Sequence, residues 1–121
     1  MVKLSRNYKD LIVWQRSLQL VVEVYRFTSI FPSSELYGLT SQMLRASVSI
    51  ASNIAEGSKR GTRKDFRSFL MISSGSAAEL ETQFEIVKLL PFGKKLDVSE
   101  CESLIQEVIK MLHKLISTLN V

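Results

Sequence analysis

The sequence predicts an all-α protein folded as an antiparallel up-down-up-down four-helix bundle. Three observations predict it. Apolar residues recur at spacings of three and four over long segments. Short breaks that contain Gly or Pro separate these segments, and no stretch alternates apolar and polar residues as a half-exposed strand does. Because 121 residues is the length of one domain, we expect a single bundle over residues 1–121.

The predicted helices span about residues 11–28, 39–56, 63–90 and 99–119. The first helix carries one apolar face, formed by Leu11, Trp14, Leu18, Val21, Val22 and Tyr25. Phe31-Pro32 ends it, since proline disfavours a helical residue before it. Gly38 is expected to bend or interrupt the chain before the second helix begins.

The second and third helices are predicted to form an antiparallel hairpin. We interpret Gly57 as the residue that ends the second helix, because glycine adopts the left-handed conformation common there. Thr62 followed by Asp65 resembles a capping box that opens the third helix. The connection between the two helices is short, which favours antiparallel packing.

Small residues are unusually frequent in this hairpin. Residues 46–55 read ASVSIASNIA, and their small side chains fall on more than one helical face. A helix of this kind is buried on most sides, which predicts a second packing surface and therefore a homo-oligomer. Gly75 lies inside the third helix, where glycine costs about 1 kcal/mol relative to alanine, and we interpret it as a point of close approach by another helix.

The cations are concentrated in the first half of the chain. Residues 1–70 hold 11 Lys and Arg against 5 acids, whereas residues 71–121 hold 5 Lys against 7 acids. The densest run, KRGTRKDFR, lies at the predicted start of the third helix, whose N–H groups and dipole also favour anions. It predicts a phosphate-contacting patch formed by Lys59, Arg60, Arg63, Lys64 and Arg67. The alternative is a solvated turn without a ligand.

The sequence lacks the residues that a catalytic, metal or cofactor site would need. Cys101 and His113 are the chain's single Cys and single His, too few for a zinc site or for the paired Glu-x-x-His motifs of a di-iron bundle. No phosphate-binding glycine loop is present. We therefore expect no enzyme activity, no metal and no cofactor. The polar N-terminus, the lone cysteine and the lack of a long apolar run predict a cytoplasmic protein without a membrane partner.

Two polar residues of the second helix are interpreted as structural. Asn53 lies on the apolar seam, where an unbonded amide would be costly, and we expect it to bond to the backbone. Glu56 lies in the last turn, where the helix dipole disfavours a carboxylate, and we expect it to pair with Arg60 or Arg63.

Other residues are assigned to packing or to an interface. Arg45 is predicted to lie near Glu79 across the hairpin and to pair with it, within or between subunits. Trp14 and Tyr37 are interpreted as core or interface anchors. Gly38 belongs with Tyr37 to a motif for which the residues alone provide no physical reason.

A family resemblance rests on a series of short motifs. They are Asp10-Leu11-Ile12-Val13-Trp14-Gln15, Tyr37-Gly38-Leu39-Thr40-Ser41-Gln42, Arg45-Ala46, Asn53-Ile54-Ala55-Glu56-Gly57, Gly75-Ser76 and Glu79-Leu80-Glu81-Thr82. The sequence resembles the small bacterial four-helix-bundle proteins encoded in intervening sequences of large-subunit ribosomal RNA genes, and the accessory proteins of diversity-generating retroelements are similar. The resemblance implies a pentamer, and contact with nucleic acid and a reverse transcriptase.

Three functions are therefore weighed. The leading hypothesis is a non-enzymatic homo-oligomer that contacts RNA or DNA through the basic turn. Because Phe66 and Phe69 fall on the core face, base stacking by these rings is not predicted, and binding should be backbone-directed and salt-sensitive. The first alternative is a scaffold that docks a nucleic-acid enzyme such as a reverse transcriptase. The second is an enzyme whose site forms between subunits.

Overall fold

A computed structural model describes residues 7–119 of the chain, in which four α-helices form the predicted all-α bundle. The helices are α1 (Ile12–Thr28), α2 (Ser41–Lys59), α3 (Arg63–Leu89) and α4 (Ser99–Thr118). Each packs against the next, and α4 also packs against α1. Within the described part there is no β-strand. Residues 1–6 and 120–121, which the predicted domain included, lie outside it.

The core runs along the axis of the bundle and draws on every helix. Its largest fully buried side chains include Leu20, Met43, Ile50, Ile54, Phe66, Leu70, Leu80, Phe84, Ile105 and Leu112. Burying a side chain of this size stabilises a fold by about 1.5–3 kcal/mol. Among residues 7–119, none of the helices combines the length and the hydrophobicity that a membrane-spanning segment requires.

The core-facing side of α1 differs from the predicted one. The buried residues are Val13, Ser17, Leu20, Val24 and Thr28. Two of them are polar, and each hydroxyl is satisfied inside the helix: Ser17 donates to the Trp14 carbonyl and Thr28 to the Val24 carbonyl, at 2.7 and 2.8 Å. Because these hydroxyls count as polar, hydrophobicity alone does not indicate the core face.

The face of α1 that the sequence predicts to be buried is instead partly open to solvent. Leu18, Val22 and Tyr25 are 38%, 52% and 54% exposed. Val48 of α2 is 41% exposed, and a shallow groove joins it to Tyr25. We call Leu18, Val22, Tyr25 and Val48 the outer apolar face.

The connection from α1 to α2 contains the interruption predicted at Gly38. A 3-10 turn over Ser33–Glu35 leads into a π-type turn over Leu36–Thr40, inside which Gly38 departs from helical geometry (φ −111°, ψ −110°). Tyr37, just before it, is 92% exposed. Tyr37 is therefore not a core anchor, which corrects one of its two predicted roles.

Gly57 does not end α2. The helix continues through it to Lys59, and the left-handed residue of the turn is Gly61 (φ +89°). Gly57 is buried, and a Cβ atom placed on it would lie 2.6 Å from the Cβ of Phe69. Its function is therefore to let α3 approach α2 closely.

The small residues of α2 are used mainly inside the bundle. Ala46, Ser47 and Ala51 are buried within the single chain, so these three residues do not require the second packing surface that the sequence predicted. Gly75 is exposed, and a Cβ atom placed on it would have no neighbour within 4 Å. The close neighbour expected at Gly75 is therefore not found among residues 7–119.

Candidate nucleic-acid interface

The basic turn joins the C-terminus of α2 to the N-terminus of α3. Gly61 supplies the positive φ that reverses the chain. Thr62 then caps α3 as predicted, since its hydroxyl accepts a hydrogen bond from the Asp65 N–H at 3.1 Å. The fold therefore brings the five predicted cations to one corner of the bundle: Lys59, Arg60, Arg63, Lys64 and Arg67.

Arg60 is held in place on the surface of this corner. Its Nη2 lies 2.7 Å from Glu56 Oε2, and its guanidinium carbon lies 4.8 Å from the centre of the Phe69 ring. The side chain remains 50% exposed. An exposed ion pair of this kind contributes about 0–1 kcal/mol, so its main effect is to orient the guanidinium.

Two other arginines of the turn make contacts within the bundle. Arg63 Nη2 donates to the Thr118 carbonyl at 3.2 Å, close to the C-terminus of α4. A cation at this position is stabilised by the negative end of the helix dipole. Arg67 Nη1 lies 3.4 Å from the sulfur of Met71. Arg63 therefore has a structural role in addition to its charge.

The two lysines of the turn are free. Lys59 and Lys64 are exposed, and neither forms an ion pair within residues 7–119. Lysine is a compact, mobile point charge suited to phosphate oxygens. The corner thus presents two exposed lysines without an ion pair among residues 7–119 beside one ordered guanidinium.

Asn53 and Glu56 make the contacts expected of them. Asn53 Nδ2 donates to the Ser49 carbonyl at 2.8 Å and to its Oγ at 3.0 Å. Glu56 pairs with Arg60. The polarity of both residues is therefore accounted for by the fold near the end of α2.

A second polar region lies near the opposite end of the hairpin. It is a cleft of about 560 Å³ between α2, α3 and the turn that precedes α2. Its lining residues are Tyr37, Ser41, Gln42, Arg45, Ala46, Ser49, Glu79 and Gln83. We call this the hairpin cleft.

The charged residues of the hairpin cleft do not pair as predicted. Arg45 and Glu79 both line it, yet neither forms an ion pair within residues 7–119. Ser49 and Ser76 hydroxyls lie 2.8 Å apart and link α2 to α3. The cleft therefore separates its two charges instead of joining them.

Gln83 is a cleft residue that the sequence-based site prediction does not include. It continues a series with spacings of three and four along the third helix, formed by Phe66, Phe69, Ser73, Ser76 and Leu80. This spacing predicts the core side for Gln83, and the structure buries it to 6% exposure. Its Oε1 is shielded from solvent and has no hydrogen-bond partner within the described chain. An amide on the buried side of α3 is the available sequence indication of a polar site.

The remaining reactive side chains lie elsewhere. Burial raises the pKa of the Cys101 thiol to about 11, with added repulsion from the carboxylates of Glu23, Glu100 and Glu102. His113 is exposed, with its Nε2 3.3 Å from the Ser74 hydroxyl. Neither side chain lines the hairpin cleft.

Comparison with known proteins agrees with the resemblance seen in the sequence. The model of the 23S rRNA-intervening sequence protein family matches residues 9–114. Among solved structures, the chain is similar to a protein with unknown function from the S23 ribosomal protein family of Bacteroides thetaiotaomicron VPI-5482. The two are 24% identical, with a TM-score of 0.74 over 88% of this chain and 96% of that chain. This likeness shows a shared fold.

A search of curated proteins finds no match. Because the family model covers most of the sequence, the chain belongs to the 23S rRNA-intervening sequence protein family.

Proposed function

We propose that this protein is a non-enzymatic, oligomeric helical bundle that binds the backbone of RNA or DNA through the basic turn. The observation that carries the proposal is the gathering of five cations at one corner, with Lys59 and Lys64 outside any ion pair of residues 7–119 and Arg60 oriented on the surface. Membership in a family named for ribosomal RNA intervening sequences supports RNA as the partner.

The charge pattern also determines the kind of binding. Phe66 is buried, and Phe69 is covered by Arg60, so the turn offers no open ring for stacking on bases. Binding at the turn should therefore rest on phosphate contacts, release counterions and weaken steeply with salt.

The test compares two double variants in fluorescence anisotropy with labelled single-stranded RNA and DNA over a salt series. Lys59→Gln with Lys64→Gln removes the two free cations and should lower the slope of log affinity against log salt by about 1.5. Lys94→Gln with Lys95→Gln is the matched control, because both lysines are exposed in the α3–α4 loop. Equal slopes for both double variants would reject the turn as the binding site.

Self-association forms the second part of the proposal, and it is supported by the outer apolar face. A partly exposed row of Leu18, Val22 and Tyr25 beside Val48 is apolar surface that a second copy can cover. The family resemblance implies a pentamer, in which five basic turns would act together.

Light scattering measures this directly. The wild-type mass should be a multiple of 13.7 kDa, with five copies as the expected number. Val22→Glu should dissociate the assembly, whereas Leu89→Glu, at an apolar residue that is 77% exposed on α3, should not. A wild-type mass of one chain would remove this part of the proposal.

The alternative is a scaffold that docks a nucleic-acid enzyme such as a reverse transcriptase. The outer apolar face favours it too, since a different protein could cover the same residues. The scaffold would be favoured if the protein does not bind nucleic acid. It would also be favoured if binding is insensitive to salt and the Lys59→Gln/Lys64→Gln protein binds nucleic acid as tightly as wild type. Metal-dependent RNA cleavage by the purified protein would instead favour an enzyme with a site between subunits.

A further inference from the structure

The hairpin cleft has the size of a ligand site. Its volume of about 560 Å³ falls within the range of about 300–1,000 Å³ that is usual for small-molecule sites. It is lined mostly by polar side chains, and it lies near the opposite end of the α2–α3 hairpin from the basic turn.

Gln83 is the first indication that the cleft is incomplete by itself. The residue is only 6% exposed and lines the cleft, while its Oε1 receives no hydrogen bond from the described part of the protein. A buried acceptor without a donor costs free energy in the folded state. The polarity of this amide is therefore not accounted for by the described fold.

The charges of the cleft select against a phosphate. Arg45 and Glu79 line the same space, and neither is in an ion pair among residues 7–119. Their charges cancel, so the cleft attracts no net anion, and the Glu79 carboxylate repels one locally. The arrangement suits a neutral group with donors on one side and acceptors on the other.

Tyr37 supplies a flat surface at the same place. The residue is 92% exposed and lines the cleft. Unstacked nucleobases are commonly held by stacking on an aromatic ring, while polar side chains bond their Watson–Crick edge. The cleft therefore combines an open ring with groups able to bond the edge of a base.

We propose that the hairpin cleft binds a single unstacked guanine base. Guanine presents two adjacent N–H donors, N1 and N2, which one carboxylate can accept together, and Glu79 provides that carboxylate. Its O6 and N7 acceptors match an arginine, and Arg45 provides one. The other bases lack two adjacent ring-edge donors, so they leave Glu79 unsatisfied.

The base can come from a free nucleoside or from a single strand bound at the basic turn, and the second source rests on the function proposed above. At a rise of 1.5 Å per residue, Arg45 and Arg60 are about 22 Å apart along α2. At about 100° per residue, they differ by about 60° around the helix. One extended strand can therefore reach both sites.

Two sets of binding measurements on the full chain separate these sources. Calorimetric titration with guanosine and with adenosine tests the cleft alone, and guanosine should bind about tenfold more tightly. Anisotropy with oligouridine carrying one central guanine or one central adenine tests the strand, with a preference of similar size. The Lys59→Gln/Lys64→Gln protein should bind both strands more weakly and keep the preference.

Two exposed residues of the cleft can be changed with little risk to the fold. Glu79→Gln should abolish the preference for guanine, and Tyr37→Ala should weaken both bases. Glu100→Gln and Leu89→Ala are the controls, since both residues are exposed and line no part of the cleft, and they should leave base binding unchanged.

The guanosine titration tests the base site independently of whether the basic turn binds nucleic acid. If guanosine binds with the expected preference while neither strand binds, the cleft is a nucleoside site and only the proposed function fails. Absence of guanosine binding, or an unchanged preference in Glu79→Gln, overturns the base site. A change in oligomer mass in Tyr37→Ala without guanosine binding would show instead that a second copy occupies the cleft.

Discussion

Replacing Gly57 with alanine tests how closely α2 and α3 are packed. The added Cβ would lie 2.6 Å from Phe69 Cβ and 3.3 Å from the Phe66 carbonyl oxygen. Carbon atoms in contact are normally about 3.5–4.0 Å apart, so the first distance is too short by about 1 Å. Phe69 Cβ is fixed to the backbone and cannot rotate away, so the two helices would have to separate.

Two opposing effects determine how much Gly57→Ala changes the free energy of unfolding. Overpacking of this kind costs about 1–3 kcal/mol, and we expect the upper half of that range because a backbone-fixed atom is displaced. Alanine in a helix interior regains up to about 1 kcal/mol relative to glycine. Gly57→Ala should therefore reduce the free energy of unfolding by about 1–2 kcal/mol.

Gly75→Ala is the matched control, because it makes the same change inside α3 where no atom lies within 4 Å. This variant should be more stable than wild type by up to about 1 kcal/mol. The helix propensity gained is the same in both variants, so their difference isolates the packing cost. It should be about 2–3 kcal/mol, or roughly 10 °C in melting temperature for a domain of this size.

Urea unfolding followed by far-UV circular dichroism measures both values, provided that the slope against urea stays constant. Light scattering at the same concentration checks that all three proteins are in the same association state. If Gly57→Ala proves as stable as Gly75→Ala, the close approach of the two helices is not what requires glycine at residue 57.

Three further predictions concern single side chains. Arg63→Ala should lose about 1 kcal/mol of stability and speed hydrogen exchange near Thr118, whereas Lys64→Ala should change neither; equal exchange in both variants would contradict the contact. The Cys101 pKa of about 11 predicts that the folded protein reacts slowly with thiol reagents at neutral pH. The thiol of the unfolded chain titrates near pH 8.5. The contribution of the protonated Cys101 to the free energy of unfolding is therefore complete below that pH and lost between about pH 8.5 and 11. Rapid labelling of folded protein would contradict this. Gln83→Leu should keep or raise stability by up to about 1 kcal/mol in urea unfolding, and a clear loss would show that the amide is satisfied.

The helices could be predicted from sequence because their periodicity and breaks are local properties. The predicted 63–90 and 99–119 lie within a residue of α3 and α4 at each end. The orientation of α1 could not be predicted in the same way. Ser17 and Thr28 look polar in the sequence, but each hydroxyl bonds a carbonyl of its own helix and can be buried.

The roles of the glycines required distances between helices. Gly57 precedes a turn, which is where a helix-ending glycine is expected, yet Gly61 makes the turn and Gly57 makes the helix contact. Composition alone cannot distinguish these two uses. The same limit applies to the small residues of α2, whose burial by the chain's own helices is visible only in three dimensions.

The two candidate sites differ in what sequence can reveal. The basic turn is a contiguous run of residues, so its concentration of charge is visible in the sequence. The hairpin cleft joins residues from two helices, with Arg45 and Glu79 separated by 34 positions in the sequence. Its defining feature is a missing hydrogen bond at Gln83, which no pattern of residue types can show.

This difference also affects how strongly the fold explains each site. At the end of α2, Asn53 bonds to backbone and Glu56 pairs with Arg60, so packing and local pairing account for most of the polarity there. In the cleft they do not, since the Gln83 acceptor is unsatisfied within residues 7–119 and the Tyr37 ring is open to solvent. A domain is stable by only about 5–15 kcal/mol. Residues that fit their surroundings poorly are therefore found mainly at functional sites. Packing and local pairing therefore explain the polar residues near the basic turn, and they leave those of the hairpin cleft unexplained within residues 7–119.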